Sequence, residues 1–305
     1  MMIHRAFDAF IQDRQAYCSA ATIRTYKGHM ETFFTFLESE YHTPVTDLQF
    51  SDIPEDANVM AAYILFLKNQ NATLRNTSIR SYCRHVKAFL HFCYEMDYCR
   101  DFLKRVKLPR DDAEPKLPLC VDEVERIDAL FDRSTLKGSR NYCILHLMLD
   151  CGLRCQEVRH LQVEHLQQQR NIIYIKDSKG AKSRFTLAPD FVFDAVWQYL
   201  LLSGHSSGII FRGLKDKEPI SQNTIKQLFQ DIKKEAGINR LHAHLLRHTF
   251  ATSFLIGGGN LEFLRVYLGH YDYSVTKIYT QTAAQCKMLG LDVYHLDKIF
   301  FTRGY

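Results

Sequence analysis

Along most of this chain apolar side chains recur every three or four residues, and the places where that spacing fails mark its joints. From Thr22 to Leu37 they fall at Ile23, Tyr26, Met30, Phe33, Phe34 and Leu37, which predicts a helix with one buried face. A second helix is expected over Val59 to Leu67. A third, with Asn76 or Thr77 as its cap, turns Ile79, Cys83, Val86, Leu90 and Cys93 inward. The stretch 110–118, RDDAEPKLP, carries charge and proline but no periodic face, and reads as a linker. Past it, Cys120 to Phe131 predicts a helix with Val124, Ile127 and Leu130 inward, and Tyr142 to Leu149 is an apolar run.

The period changes at Asn171. NIIYIK and SRFTLA predict two β-strands, with Asp177 to Lys182 as the turn between them. Helical spacing returns over Asp190 to Leu202 and Ser221 to Ala236, the latter closed by Gly237. Leu241 to Thr280 then reads as three short helices. The first stops at Gly257-Gly258-Gly259. The second, opened by Asn260, carries Leu261, Leu264 and Leu268 inward and ends at Gly269-His270. The third, capped by Ser274, presents Tyr279. The tail holds Leu289, Leu291, Val293, Leu296, Ile299, Phe300 and Phe301, too much apolar surface for a frayed terminus. The fold class is therefore mainly α with a small β-sheet, an α+β chain.

Composition narrows the picture. A chain of 305 residues with 46% apolar content is comfortable as two domains with real cores. No apolar run approaches the ~20 residues that a bilayer span requires, and the N-terminus lacks a signal-peptide pattern. A cytoplasmic protein without membrane partners is expected. Nine cysteines, an odd number without a C-x-x-C pair, read as reduced core residues. The formal charge of +5 is a modest basic excess, but it is concentrated: from Lys68 to Arg110 ten basic residues face three acidic ones. Arg80, Arg84 and Lys87 form a basic stripe on the third helix, and Arg24 and Lys27 a smaller patch on the first. Such stripes are more often solvated surface than phosphate contacts; their concentration in one helical segment favours DNA.

The polar residues of the second half carry the chemistry. A phosphodiester repels nucleophiles, and its transition state spreads charge over the non-bridging oxygens. Arg154 and Arg247 can hold those oxygens through planar, permanently charged donors. Arg154 and Glu157, at i and i+3, are on spacing alone an ordinary surface ion pair. Tyr279, a phenol with an ordinary pKa of about 10, needs a cationic field and a base before it attacks. His244 is the first candidate for that base and His270 for a proton donor, with the roles interchangeable. Lys179 on the hairpin can protonate a departing 5′-oxygen, and Lys182 competes for that role. His242, His244 and His248 raise a zinc site, but the H-E-x-x-H glutamate is missing. Arginines do the electrostatic work of a metal here, so no cofactor is expected. With sixteen tyrosines in the chain, Tyr279 is singled out by position; Tyr271 and Tyr273 are its neighbouring controls.

The blocks HLLRHTFAT (His244 to Thr252), Leu268-Gly269-His270 and Thr276 to Tyr279 resemble the C-terminal signature of the tyrosine recombinases, the phage-integrase family. Gly152-Leu153-Arg154 with Glu157 is similar to that family's first arginine motif, and Ser178 to Arg184 to its hairpin motif. The resemblance implies a helical, SAM-like core-binding domain at 1–108, a linker at 109–118, and a catalytic domain at 119–305 whose C-terminal helix, about Asp292 to Phe301, packs on a neighbouring protomer. It implies Arg154, Lys179, His244, Arg247, His270 and Tyr279 as catalytic residues, Glu157 in support, and Arg184 on the DNA backbone. It leaves no room before Thr22 for a further arm-type DNA-binding domain. The activity implied is cleavage and rejoining of double-stranded DNA at recombination sites, by a homo-tetramer with accessory DNA-binding proteins. An integrase or resolvase of a mobile element leads. An Xer-type chromosome-dimer resolvase, a type IB topoisomerase and a catalytically inactive DNA-binding protein are the alternatives.

Overall fold

The computed structural model describes residues 1–301 except 105, 111, 113–115, 177–182, 214–217 and 270–272, with backbone alone for 273–275. The chain divides into two compact units, Met1–Glu114 and Pro115–Tyr305.

The first unit is helical throughout: α1 (Ile3–Gln15), α2 (Ala20–Tyr41), α3 (Val59–Gln70) and α4 (Asn76–Glu95). α1 goes beyond the sequence expectation. It has no side-chain N-cap to announce it, yet it buries Ile3, Ala6, Phe10 and Ile11 at helical spacing. Phe7 and Phe10 both meet Phe89 of α4 edge-on at 5.7 Å, and burying each such ring contributes about 1.5–3 kcal/mol. On α4, Ile79, Cys83, Val86, Leu90 and Cys93 all lie in the core.

The cap of α4 differs from expectation. Arg75 occupies the N-cap without a side-chain bond. Asp112 does the capping, accepting from the Asn76 and Thr77 backbone N–H groups at 2.8 and 3.1 Å. Those hydrogen bonds lower the Asp112 pKa, and a carboxylate there also complements the helix dipole. Arg24, Lys27 and Arg84 are exposed and Lys87 half-buried; Arg80 donates to the Pro109 carbonyl at 2.8 Å.

The second unit contains α5 (Val121–Asp128), α6 (Leu136–Leu149), α7 (Cys155–Arg159), β1 (Leu166–Gln167), β2 (Ile172–Ile175) and β3 (Arg184–Leu187). After these come α8 (Asp190–Ser203), α9 (Gln222–Glu235), α10 (Ala243–Ile256), α11 (Leu261–Leu268) and α12 (Tyr273–Met288). The sheet is antiparallel in the order β1-β2-β3, with Ile173 opposite both Leu166 and Thr186. At two residues β1 is too short to show a period in sequence. α10 is the central element: every residue from Leu245 to Phe254 is buried. Its Thr249 hydroxyl donates to the Leu245 carbonyl and accepts from the Leu119 N–H, both at 2.9 Å. Asn260 caps α11 as expected, whereas Ser274 falls inside α12. All nine cysteines are free.

The tail departs from the expected helix. Residues 291–297 run without helical structure, followed by a short 3₁₀ turn at Lys298–Phe300, and the segment packs on its own unit. The Tyr294 N–H donates to the Leu119 carbonyl at 2.9 Å, and the Ser253 hydroxyl donates to the Tyr294 carbonyl at 2.5 Å. Val293 and Phe300 are buried. Leu289, Leu291 and Val293 are spaced by two, an extended pattern that cannot form one helix face.

Candidate active site

The site starts at a corner. α6 ends at Leu149, and three residues on Gly152 adopts φ 65°, the left-handed conformation that glycine supplies without strain. A Cβ at this position would stand 2.8 Å from the Phe250 ring. The chain reverses, Arg154 becomes the N-cap of α7, and Glu157 at the third helical position accepts from the Arg154 backbone N–H at 2.7 Å. The cap thus turns Glu157 back toward the arginine that precedes it.

Glu157 gathers three guanidiniums. Arg154 Nη1 donates to Oε1 at 2.9 Å. Arg184, from the start of β3, forms a bidentate pair with the same carboxylate at 2.7 and 2.8 Å. Arg247 of α10, 4% exposed, brings Nη1 to 3.9 Å from Oε2. Burial alone would raise the Glu157 pKa, but hydrogen bonds and charge from Arg184, the Arg154 N–H and Arg247 bring it down to about 2. The carboxylate is ionised at any working pH.

The same guanidiniums are held from the other side by the end of α11. The carbonyls of Tyr267, Leu268 and Gly269 accept in turn from Arg184 Nε at 2.7 Å, Arg247 Nη2 at 2.5 Å and Arg154 Nη2 at 3.2 Å. The last carbonyls of a helix lack intrahelical donors and carry the negative end of its dipole, so three cations in a row satisfy them. Gly269, at φ 64°, ends the helix and leaves its carbonyl facing Arg154. Arg247 also donates to the Gly152 carbonyl at 2.6 Å. Three positive charges meet one carboxylate, and the surplus is a field for an anion.

Tyr279, on α12, is half-buried within this field. Burial raises its pKa, while Arg247 and Arg154, with a hydrogen bond from Arg247, pull the other way. The phenol is neutral at neutral pH and its anion, once formed, has cations beside it. His244 reaches the surface, but partial desolvation at its base and the neighbouring His242 and Arg247 lower its pKa, keeping the imidazole neutral and able to accept a proton. Arg247 itself, pressed down to about 9 by burial and by Arg154, stays charged.

The three histidines of the zinc reading point to different surroundings. His242 pairs with the Arg240 carbonyl at 2.7 Å, His244 is exposed, and His248 is buried with its ring edge-on to Tyr279 at 5.2 Å. Lys179, Lys182, His270 and Tyr271 lie outside the described residues, as does the side chain of Tyr273. Arg184, expected on the DNA backbone, has a side chain that is 12% exposed and engaged with Glu157 and the Tyr267 carbonyl. No signal in the sequence pairs it with Glu157, because the contact spans 27 residues and depends on where β3 begins.

The sequence model of the phage integrase family matches residues 119–285, more than half of the chain, and that of the phage integrase SAM-like domain matches residues 2–106. The chain belongs to the phage integrase family. Members are tyrosine recombinases, enzymes that cleave and rejoin DNA. The tyrosine recombinase XerC of Staphylococcus haemolyticus is 28% identical over 276 residues, covering 88% of both chains. XerD of Listeria innocua is 26% identical, covering 90% of this chain and 92% of its own. Among solved structures, the XerH site-specific recombinase bound to a palindromic difH substrate superposes with a TM-score of 0.71 at 18% identity, over 91% of this chain and 80% of that one. The Tn1549 transposon integrase in complex with a circular intermediate DNA gives 0.69 at 19% identity, over 95% and 100%. At these identities the structural likeness speaks for the fold alone. The recombinase fold places α7, α10, α11 and the hairpin strands around one cationic centre in this chain.

Proposed function

We propose that this recombinase acts at specific DNA sites through a 3′-phosphotyrosine intermediate, as an integrase or resolvase of a mobile element. The observation that carries the reading is the convergence of Arg154 and Arg247 on Glu157 with the Tyr279 phenol hydrogen-bonded to Arg247. Both arginines bring their guanidiniums near one point, where they take the non-bridging oxygens of a phosphodiester. Tyr279 gives its proton to His244, with His270 as the other candidate, and its oxygen attacks phosphorus. The 5′-oxygen leaves with a proton from Lys179. The phosphotyrosine retains the phosphodiester's energy, so a 5′-hydroxyl from another strand reverses the step without an external energy source.

The helical first unit, with Arg24, Lys27 and Arg84 exposed, tracks duplex phosphates, and four subunits exchange strands in pairs. A second reading, an Xer-type resolvase of chromosome dimers, is favoured by the near full-length match to XerC and XerD relatives. Sequencing covalently trapped DNA junctions from cells separates the two: junctions at the ends of an element support the first, a single chromosomal site the second. A nicked suicide duplex built from that sequence then tests the chemistry. Tyr279→Phe is expected to abolish covalent attachment and leave binding nearly intact; attachment surviving in the variant removes Tyr279 as nucleophile. Relaxation of supercoiled DNA without recombinant products points instead to a topoisomerase.

A further inference from the structure

We propose that Arg184 is a positioning residue for strand cleavage: it clamps Glu157, and through Glu157 the arginines that bind the phosphate, and makes no contact with DNA. The proposal rests on the recombinase reading above.

Three observations lead to it. Arg184 uses both terminal nitrogens on Glu157 and its Nε on the Tyr267 carbonyl, so one planar group ties β3 to α7 and to the end of α11. Glu157 is shared: it also accepts from the Arg154 side chain and stands 3.9 Å from Arg247. A carboxylate with four acceptor positions and three cationic neighbours keeps its place only while its strongest partner is fixed. Finally, Arg184 is the first residue of β3, five residues after Lys179 and two after Lys182. Its clamp therefore anchors the strand end from which the hairpin loop departs. One buried side chain sets the cationic pair on one side and the foot of the acid-bearing loop on the other.

A lysine in its place supplies one ammonium, which cannot span both carboxylate oxygens and reach the Tyr267 carbonyl in one plane. Alanine leaves Glu157 in a half-desolvated site with only Arg154 and Arg247 near it, and both are drawn toward it and away from the phosphate.

The test uses the full-length protein and a nicked suicide duplex carrying the site read from trapped junctions. Wild type, Arg184→Ala, Arg184→Lys, Glu157→Gln and the double variant Arg184→Ala/Glu157→Gln are compared for binding across a salt series and for single-turnover cleavage at saturating protein. Arg184→Ala is expected to keep the wild-type affinity and salt slope and to cleave about 10²-fold more slowly, the effect of a small misplacement of catalytic groups. Arg184→Lys stays slow. In the Glu157→Gln background, removing Arg184 costs little more, because the two act as a unit. A bridging 5′-thiolate substrate, which needs no proton for departure, rescues Lys179→Ala but leaves Arg184→Ala slow.

Weaker binding with a salt slope reduced by about one, and unchanged cleavage at saturation, overturns the clamp and returns Arg184 to the DNA backbone. So does an additive double variant. Should Arg184→Ala fail to fold, Arg184→Lys decides: cleavage at the wild-type rate overturns the proposal. A wild-type protein that forms no covalent complex sinks the recombinase reading itself, whereas trapping by wild type with equal rates in the variants sinks only the clamp.

Discussion

Tyr267 shows how much of the site depends on single buried polar groups. Its phenol interacts with the Thr186 hydroxyl, the Leu187 N–H at 3.1 Å and the Leu187 carbonyl at 3.1 Å, and its ring stacks on Phe250 at 5.3 Å. The hydroxyl thereby sews α11 to β3, next to the carbonyls that receive the arginines. Tyr267→Phe removes those bonds while keeping the ring, and leaves the Leu187 N–H without its partner. A loss of about 1–3 kcal/mol in denaturant unfolding is expected. A change below a few tenths of a kcal/mol means that the phenol is not structural. The sequence marks Arg154, Arg247 and Tyr279, because each sits in a block set by local helix and glycine spacing. Tyr267 carries no such mark, and the hairpin motif that holds Arg184 does not point to Glu157, since the partners of both are brought from other elements by the register of β3.

At the scale of elements, α5, α6 and the tail meet at a buried charge. His146 of α6 is 2% exposed and lies between Asp150 at 2.7 Å and Asp128 at 3.0 Å; the Tyr294 hydroxyl of the tail donates to Asp150 at 2.9 Å. Burial works against a charged imidazole, but the two carboxylates outweigh it and raise the pKa to about 9. A folded-state pKa above the unfolded value of 6.5 means that the contribution is complete below about pH 6.5 and lost as the pH rises through about 9. Thermal unfolding followed from pH 6.5 to 9.5 is expected to show a falling Tm in wild type and a flatter profile in His146→Gln. Parallel profiles would mean that the imidazole is neutral in the fold. This junction fastens the tail one turn from the Gly152 corner, which ties the tail's seat to the element that presents Arg154.

For the molecule as a whole, the two units divide the electrostatic work. In the second, Arg247 is buried, Arg184 and Arg154 are half-buried, and all three are engaged with Glu157 and with carbonyls; in the first, Arg24, Lys27 and Arg84 stand in solvent. Exposed cations that neutralise phosphates release counterions, so their removal flattens the salt dependence. Arg84→Ala with Lys87→Ala is expected to weaken binding to all DNA sequences alike and to lower the slope of log affinity against log salt by about two at most. An unchanged slope identifies the stripe as solvated surface. Among the described residues no helix is long and apolar enough to cross a membrane.

The sequence by itself determined what is local. Helical spacing placed α2, α4, α8, α9 and α10, strand composition placed β2 and β3, and the spacing of arginine, histidine and tyrosine blocks pointed to phosphate chemistry. These signals live within a few turns of chain, where side-chain period and cap chemistry act. Only the tertiary structure decided which donors meet which acceptors. It paired Arg184 with Glu157, lined three arginines along the carbonyls of residues 267–269, gave α4 its cap from Asp112, and laid the tail on its own unit. Each of these contacts joins residues between about twenty and more than a hundred positions apart, and a pairing of that kind is set by how packed elements face one another.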